Sequence, residues 1–162
     1  MKNIISAALL AFLSSTAHAG LGDGSRKNQV DNIAIAIGTS DQSLTSTAYT
    51  GVDGSTVTLT VGPNSRVLLE LSATLRNDTD GQGCFVQLMQ GSTVLNTGTV
   101  GSCGVSVAAA NARQHCGITK ITSVLAAGTY SFSVMYKATG ASTCIFNGAD
   151  ANWTFIAEEL RF

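Results

Sequence analysis

The 162-residue chain has a net charge of −1, with 12% charged and 44% hydrophobic residues. This balance leaves no basic stripe to follow a phosphate backbone or an anionic bilayer, so neither nucleic acid nor a membrane surface is an expected partner. Seventeen glycines and many Thr and Ser, set among that much apolar sequence, argue for a folded β-protein rather than a disordered secreted chain.

At the N-terminus Lys2 precedes an apolar run from Ile4 to Leu13 and small residues ending in Ala17-His18-Ala19. The pattern is that of a secretory signal peptide spanning residues 1–19, and the run is too short for a bilayer anchor. The expected destination is therefore the periplasm or the medium. Residues 20–30 carry no pattern and are expected as a flexible tail, leaving 31–162 as one domain.

Strict alternation then takes over. In "DNIAIAIGTS" Ile33, Ile35 and Ile37 share one face and Ala34 and Ala36 the other, a small-residue face suited to close packing against a neighbour. "STVTLTV" sets Val57, Leu59 and Val61 opposite threonines, and "RVLLELSATLR" aligns Val67, Leu69, Leu71, Ala73 and Leu75. Later, "TYSFSVMYK" aligns Tyr130, Phe132, Val134 and Tyr136, with the tyrosines expected at the rims, and "NWTFIAEEL" aligns Trp153, Phe155 and Ala157. Turn signals separate these runs at Asp53-Gly54, Gly62-Pro63-Asn64, Asp80-Gly81, Gln90-Gly91, Gly128 and Asn147-Gly148. Closely spaced half-buried strands predict an all-β fold, an antiparallel two-sheet β-sandwich. Pro63 is the only proline, so the sheet edges have little proline protection and pairing with another subunit is expected.

Cys84, Cys103, Cys116 and Cys144 make an even number in an exported chain, which predicts two disulfides among three possible pairings. Cys103–Cys116 and Cys84–Cys144 are favoured, the first as the tie of a loop running from Gly101 to Gly117 with Val105 to Ala110 packed inward. His115 sits in that loop against Cys116. It has no neighbouring carboxylate, and the chain has no G-x-S-x-G elbow, so no catalytic residue is assigned. A zinc site from Cys103, His115 and Cys116 lacks knuckle spacing and competes with the disulfide, so no metal or cofactor is expected. The tied loop is instead the expected contact surface for a surface glycan or protein ligand, through Asn111, Arg113, Gln114 and His115.

Other chemistry is weaker. "RNDTDGQG" matches a calcium loop at Asp78, Asp80 and Gly81 but offers Arg76 and Gln87 where the first and last ligands belong, so a polar turn is expected. Glu70 is the one acid on a strand's polar face that would suit a carbohydrate-acting hydrolase. Glu158 and Glu159 are consecutive in a strand and point to opposite faces, so they cannot act together. The terminal Phe162 raises an eight-stranded outer-membrane barrel, against which Glu158 breaks the lipid-facing row.

Taken in order, "TSTAYTGVDGSTVTLTVGPNSRVLLELSATL", "CFVQLMQGSTVL" and "LAAGTYSFSVMYKATGASTCIF" resemble bacterial and phage secreted domains related to the jelly roll of complement globular heads and tumour necrosis factor. The resemblance spans most of Thr45 to Phe146. It implies a jelly-roll sandwich that often assembles as a trimer and binds through exposed loops without enzymatic activity. The chain lacks a collagen-like or coiled-coil stalk. The resulting expectation is a non-enzymatic binding or structural module that forms a homo-oligomer. The alternative is a fimbria-like subunit donating Asp31 to Gly38 as a strand to its neighbour.

Overall fold

The computed structural model describes residues 29–95, 103–106, 109–146 and 152–161. These residues form twelve strands and no helix. The strands are β1 (Gln29–Gly38), β2 (Gln42–Leu44), β3 (Thr50–Gly51), β4 (Val57–Val61), β5 (Arg66–Asn77), β6 (Gly83–Gln90), β7 (Thr93–Val94), β8 (Cys103–Ser106), β9 (Arg113–Ile121), β10 (Gly128–Ala138), β11 (Cys144–Phe146) and β12 (Trp153–Arg161).

The pairing register builds two antiparallel sheets. In the first, β5 is central. Its residues Leu68 to Ser72 pair with β9 on one edge and β12 on the other, and Leu75 and Arg76 pair with β9 and β11. Thus β11 and β12 follow one another along the same edge of β5, and β2 and β1 extend them outward. In the second sheet β10 has β6 on one edge and β3 and β4 along the other, while β8 and β7 pair with the far edge of β6. Counting end-to-end strands as one line, each sheet is four lines wide and the two do not close into a barrel, so the outer-membrane barrel is ruled out. Successive lines alternate between sheets except from β6 to β7 and β8, which is the strand order of a jelly roll.

The core lies between the sheets, filled by the inward half of each alternation. Val57, Leu59 and Val61 face Val67, Leu69, Leu71, Ala73 and Leu75 from the other sheet, joined by Phe132, Val134, Phe155 and Ala157, all buried. Tyr136 is only 3% exposed, and so is not a rim residue. It belongs to an aromatic chain in which its ring lies 5.5 Å from Phe146, which in turn stands 6.0 Å edge-on to Trp153. Tyr130 is half-buried and donates its hydroxyl to the Ala126 carbonyl at 3.1 Å.

The Asp31–Gly38 segment is held within its own sandwich. β1 pairs with β12, and Ala36 is buried in the core with Ala34 packed against it. At the end of β1, Gly38 lies close against the Trp153 indole, and a Cβ there would overlap the ring. Gly38→Ala is therefore expected to cost about 1–3 kcal/mol through displacement of a packed core side chain. A urea titration of wild type and variant measures it.

Both predicted disulfides are present, with Cα separations of 5.3 Å for Cys84–Cys144 and 6.0 Å for Cys103–Cys116. Neither is the tie of a loop. Cys84 (β6) and Cys103 (β8) belong to the second sheet, Cys144 (β11) and Cys116 (β9) to the first, so each bond crosses the sandwich. The expected loop from Gly101 to Gly117 is replaced at both ends by strand, because Cys103 belongs to β8 and every residue of "RQHCGITKI" pairs with Leu68 to Arg76 of β5. Ala109 and Ala110 are exposed rather than packed inward, and the side chains from Val105 to Ala108 lie outside the described residues. The turns at Gly62-Pro63-Asn64 and Asp80-Gly81 use left-handed backbone at Asn64 (φ 60°) and Gly81 (φ 71°). Gly128 opens β10 instead of making a turn, and Asn147-Gly148 lies outside the described residues.

Candidate functional site

Directly paired residues in a sheet share a face, so the register lays out the outer surface of the first sheet as rows. One row runs Ile33, Glu158, Leu68, Ile121; the next Ile35, Ile156, Glu70, Thr119; the next Ile37, Thr154, Ser72, Gly117. Beyond them lie Thr74 with His115, then Arg76 with Arg113. The third row ends on a glycine and contains only short hydroxyl side chains in its middle. It therefore sinks below its neighbours into an open depression of about 250 Å³, whose walls include Glu70, Thr119 and Ile156. A Cβ at Gly117 would lie 3.4 Å from His115 Nε2, so the imidazole leans over one end of this depression.

Three of the four expected contact residues reach this same face. Asn111 is exposed, in left-handed backbone (φ 63°), and its Oδ1 accepts from Arg76 Nη1 at 3.3 Å. Arg76 also forms an ion pair with Asp41 at 3.2 Å. Arg113 and His115 point outward from β9 beside it. Gln114, between them, faces the opposite way and is half-buried, because a strand turns alternate side chains to opposite faces. Arg113, Gln114 and His115 belong to a strand rather than a loop, so their positions are fixed by the pairing with β5, whereas Asn111 lies in the turn before it.

Glu70 is exposed beside Thr119, and His115 lies four residues along β9 from that threonine, about 13 Å at strand rise. That separation is too great for the two to share a proton, so the face assembles no acid–base pair from them. The possible calcium loop is occupied by its own chain. Asp78 Oδ1 accepts from the Thr143 amide at 2.8 Å and Thr79 Oγ1 at 2.9 Å, and Asp80 accepts from the Ala110 amide. The hydrogen bonds from Thr143 and Thr79 hold the Asp78 carboxyl below the usual range. Among the described residues no group of three or more His, Cys, Asp or Glu side chains converges as a metal site.

One charged residue has a role that the sequence reading did not assign. Glu159 is fully buried at the end of the sandwich where β1, β12 and the β4–β5 turn meet. Its Oε1 accepts from the Gly62 amide at 2.7 Å, from Ser65 Oγ at 2.5 Å and from Arg161 Nε at 3.1 Å, and its Oε2 accepts from Asn32 Nδ2 at 2.8 Å. Asn32 Nδ2 also donates to the Thr60 carbonyl, linking the edge of one sheet to the edge of the other. Burial alone would raise the Glu159 pKa, but the bonds from Ser65, Gly62, Arg161 and Asn32 outweigh it and hold the carboxyl at about 2. The signal was present in the alternation, since extending Trp153, Phe155, Ala157 by two puts Glu159 on the core face.

The fold and this face define an all-β, antiparallel two-sheet sandwich of jelly-roll type, stapled across its core by two disulfides. The sequence matches no family model and no curated relative.

Proposed function

We propose that this chain is an exported, non-enzymatic binding or structural module that works as a homo-oligomer. The observation that carries the reading is the apolar cluster at the β1 edge of the first sheet's outer side, bordered by Glu158 and Glu70. Ile33, Ile35 and Ile37 are each more than half exposed, next to half-buried Ile156 and Leu68, with Ile121 exposed at the far edge. Monomers seldom leave a contiguous apolar patch of this kind uncovered.

Export is supported by the N-terminal pattern and by two disulfides, which persist in oxidising compartments. No helix among the described residues is long and apolar enough to cross a membrane. The sequence resemblance to complement globular heads and tumour necrosis factor adds the expectation of binding through exposed surfaces. The polar end of the same face, with Asn111, Arg113 and His115 around Arg76, is the surface for a glycan or protein ligand. Light scattering of the purified, exported chain across a concentration series tests the assembly. A mass that is a multiple of the protomer at micromolar concentration is expected, and a monomer throughout overturns the reading.

A further inference from the structure

The self-association proposed above needs a surface, and β1 supplies one that is specific enough to test. Among the described residues β1 pairs with β12 alone, so its other side is the open edge of the first sheet. Sheet edges are ordinarily blunted by charge, proline or a bulge. From Ile33 to Gly38 this strand contains no charge and no proline, and the irregularity in its pairing lies ahead of that stretch, between Val30 and Ile33. Its outward residues are Ile33, Ile35 and Ile37, at 54%, 52% and 62% exposure.

The stretch Ile33-Ala34-Ile35-Ala36-Ile37 reads the same in both directions. In an antiparallel pair of two copies centred on Ile35, Ile35 faces its own counterpart, Ile33 faces Ile37 and Ala34 faces Ala36. Every outward isoleucine then meets an outward isoleucine, every core-facing alanine meets an alanine, and no like charges are opposed. A shift of one residue would set isoleucine against alanine on both faces, and a shift of two would leave only two of the three isoleucines of each copy facing isoleucine, so the centred register makes the most matched pairs. We infer that the open edge of β1 docks on β1 of a second copy, antiparallel about Ile35, so that the first sheets of two protomers run on as one. The contact is isologous and closes as a dimer. The isoleucines of both copies form one continuous ridge, and the unpaired amides and carbonyls of each edge satisfy each other.

Full-length exported protein carrying Ile35→Lys is expected to dimerise about fivefold to tenfold more weakly, since two like charges would stand directly opposite each other at the axis in place of an isoleucine pair. Its melting temperature as a monomer should stay unchanged, because the position is solvent-exposed. Ile35→Cys is expected to form a cross-linked dimer under mild oxidation, mapped by mass spectrometry as two copies of the same β1 peptide joined through position 35. Facing Cα atoms in an antiparallel pair, about 4.5–5.5 Å apart, lie within disulfide reach. Ile33→Cys alone should not cross-link, whereas a mixture of Ile33→Cys and Ile37→Cys should. An oligomer insensitive to Ile35→Lys, or a trimer, or absence of the cross-link in Ile35→Cys, overturns the edge contact while self-association stands. A monomer at every concentration overturns both.

Discussion

Replacing Glu159 by alanine is expected to cost about 3 kcal/mol or more, with the Gly62 amide, the Ser65 hydroxyl and the Asn32 amide losing their acceptor at once. Arg161 is half exposed and can turn to water, so its share of the loss is small. The effect should be pH-dependent with a definite sign. The carboxyl is held at about 2 in the folded chain, against 4.5 as its ordinary value. The folded state therefore favours the ionised form. Its contribution, roughly 3 kcal/mol from the size of the shift, is fully present above pH 4.5 and declines as pH falls from 4.5 through 2. Denaturant unfolding at about pH 7, 4 and 1.5 measures it, bracketing the two carboxyl values. Wild type should lose stability across the lower part of that range more steeply than Glu159→Gln, in which this group no longer titrates. Parallel pH profiles for the two proteins would show that the buried carboxylate contributes nothing.

Removing Cys84 and Cys144 together is expected to destabilise the fold by about 4 kcal/mol, and removing Cys103 and Cys116 by about 3 kcal/mol, on the chain-entropy account of cross-links. The order follows from the sequence separations of 60 and 13 residues. The longer link ties β6 to β11 across the core, so its loss opens the larger closed loop in the unfolded state. Paired Cys→Ala variants unfolded in guanidinium chloride give both values. A larger loss from the shorter link would mean that packing at β8 and β9, rather than loop closure, governs the disulfides.

Much of the fold was legible because strands write burial into the sequence with a period of two. The buried sets on β4, β5 and β12 and the Phe132 and Val134 pair on β10 are the ones the alternation picks out. Both cysteine pairings were legible too, but not what they join. That depended on strand order, since residues near in sequence can be sent to opposite sheets, as Cys103 and Cys116 are. The same limit applied to Gln114, which looked like one of a loop's contact residues until the pairing of β9 with β5 fixed which side chains face outward. Tyr136 looked like a rim residue from its place near a strand end, and only the neighbouring Phe146 on another strand showed it to be core.

The sequence by itself determined the all-β class and the two faces of each strand, and favoured the two cysteine pairs out of three possible pairings, because each rests on local spacing or on composition. Tertiary structure decided which face of each strand meets the other sheet. For β1 it turned the alanines inward and the isoleucines to solvent, because the small side chains fit close packing near the edge of the second sheet. It also placed Glu159 among three donors from distant segments, making a buried charge stable. No local pattern carries that information, since the donors at Asn32, Gly62 and Ser65 meet the carboxylate only when the sandwich closes.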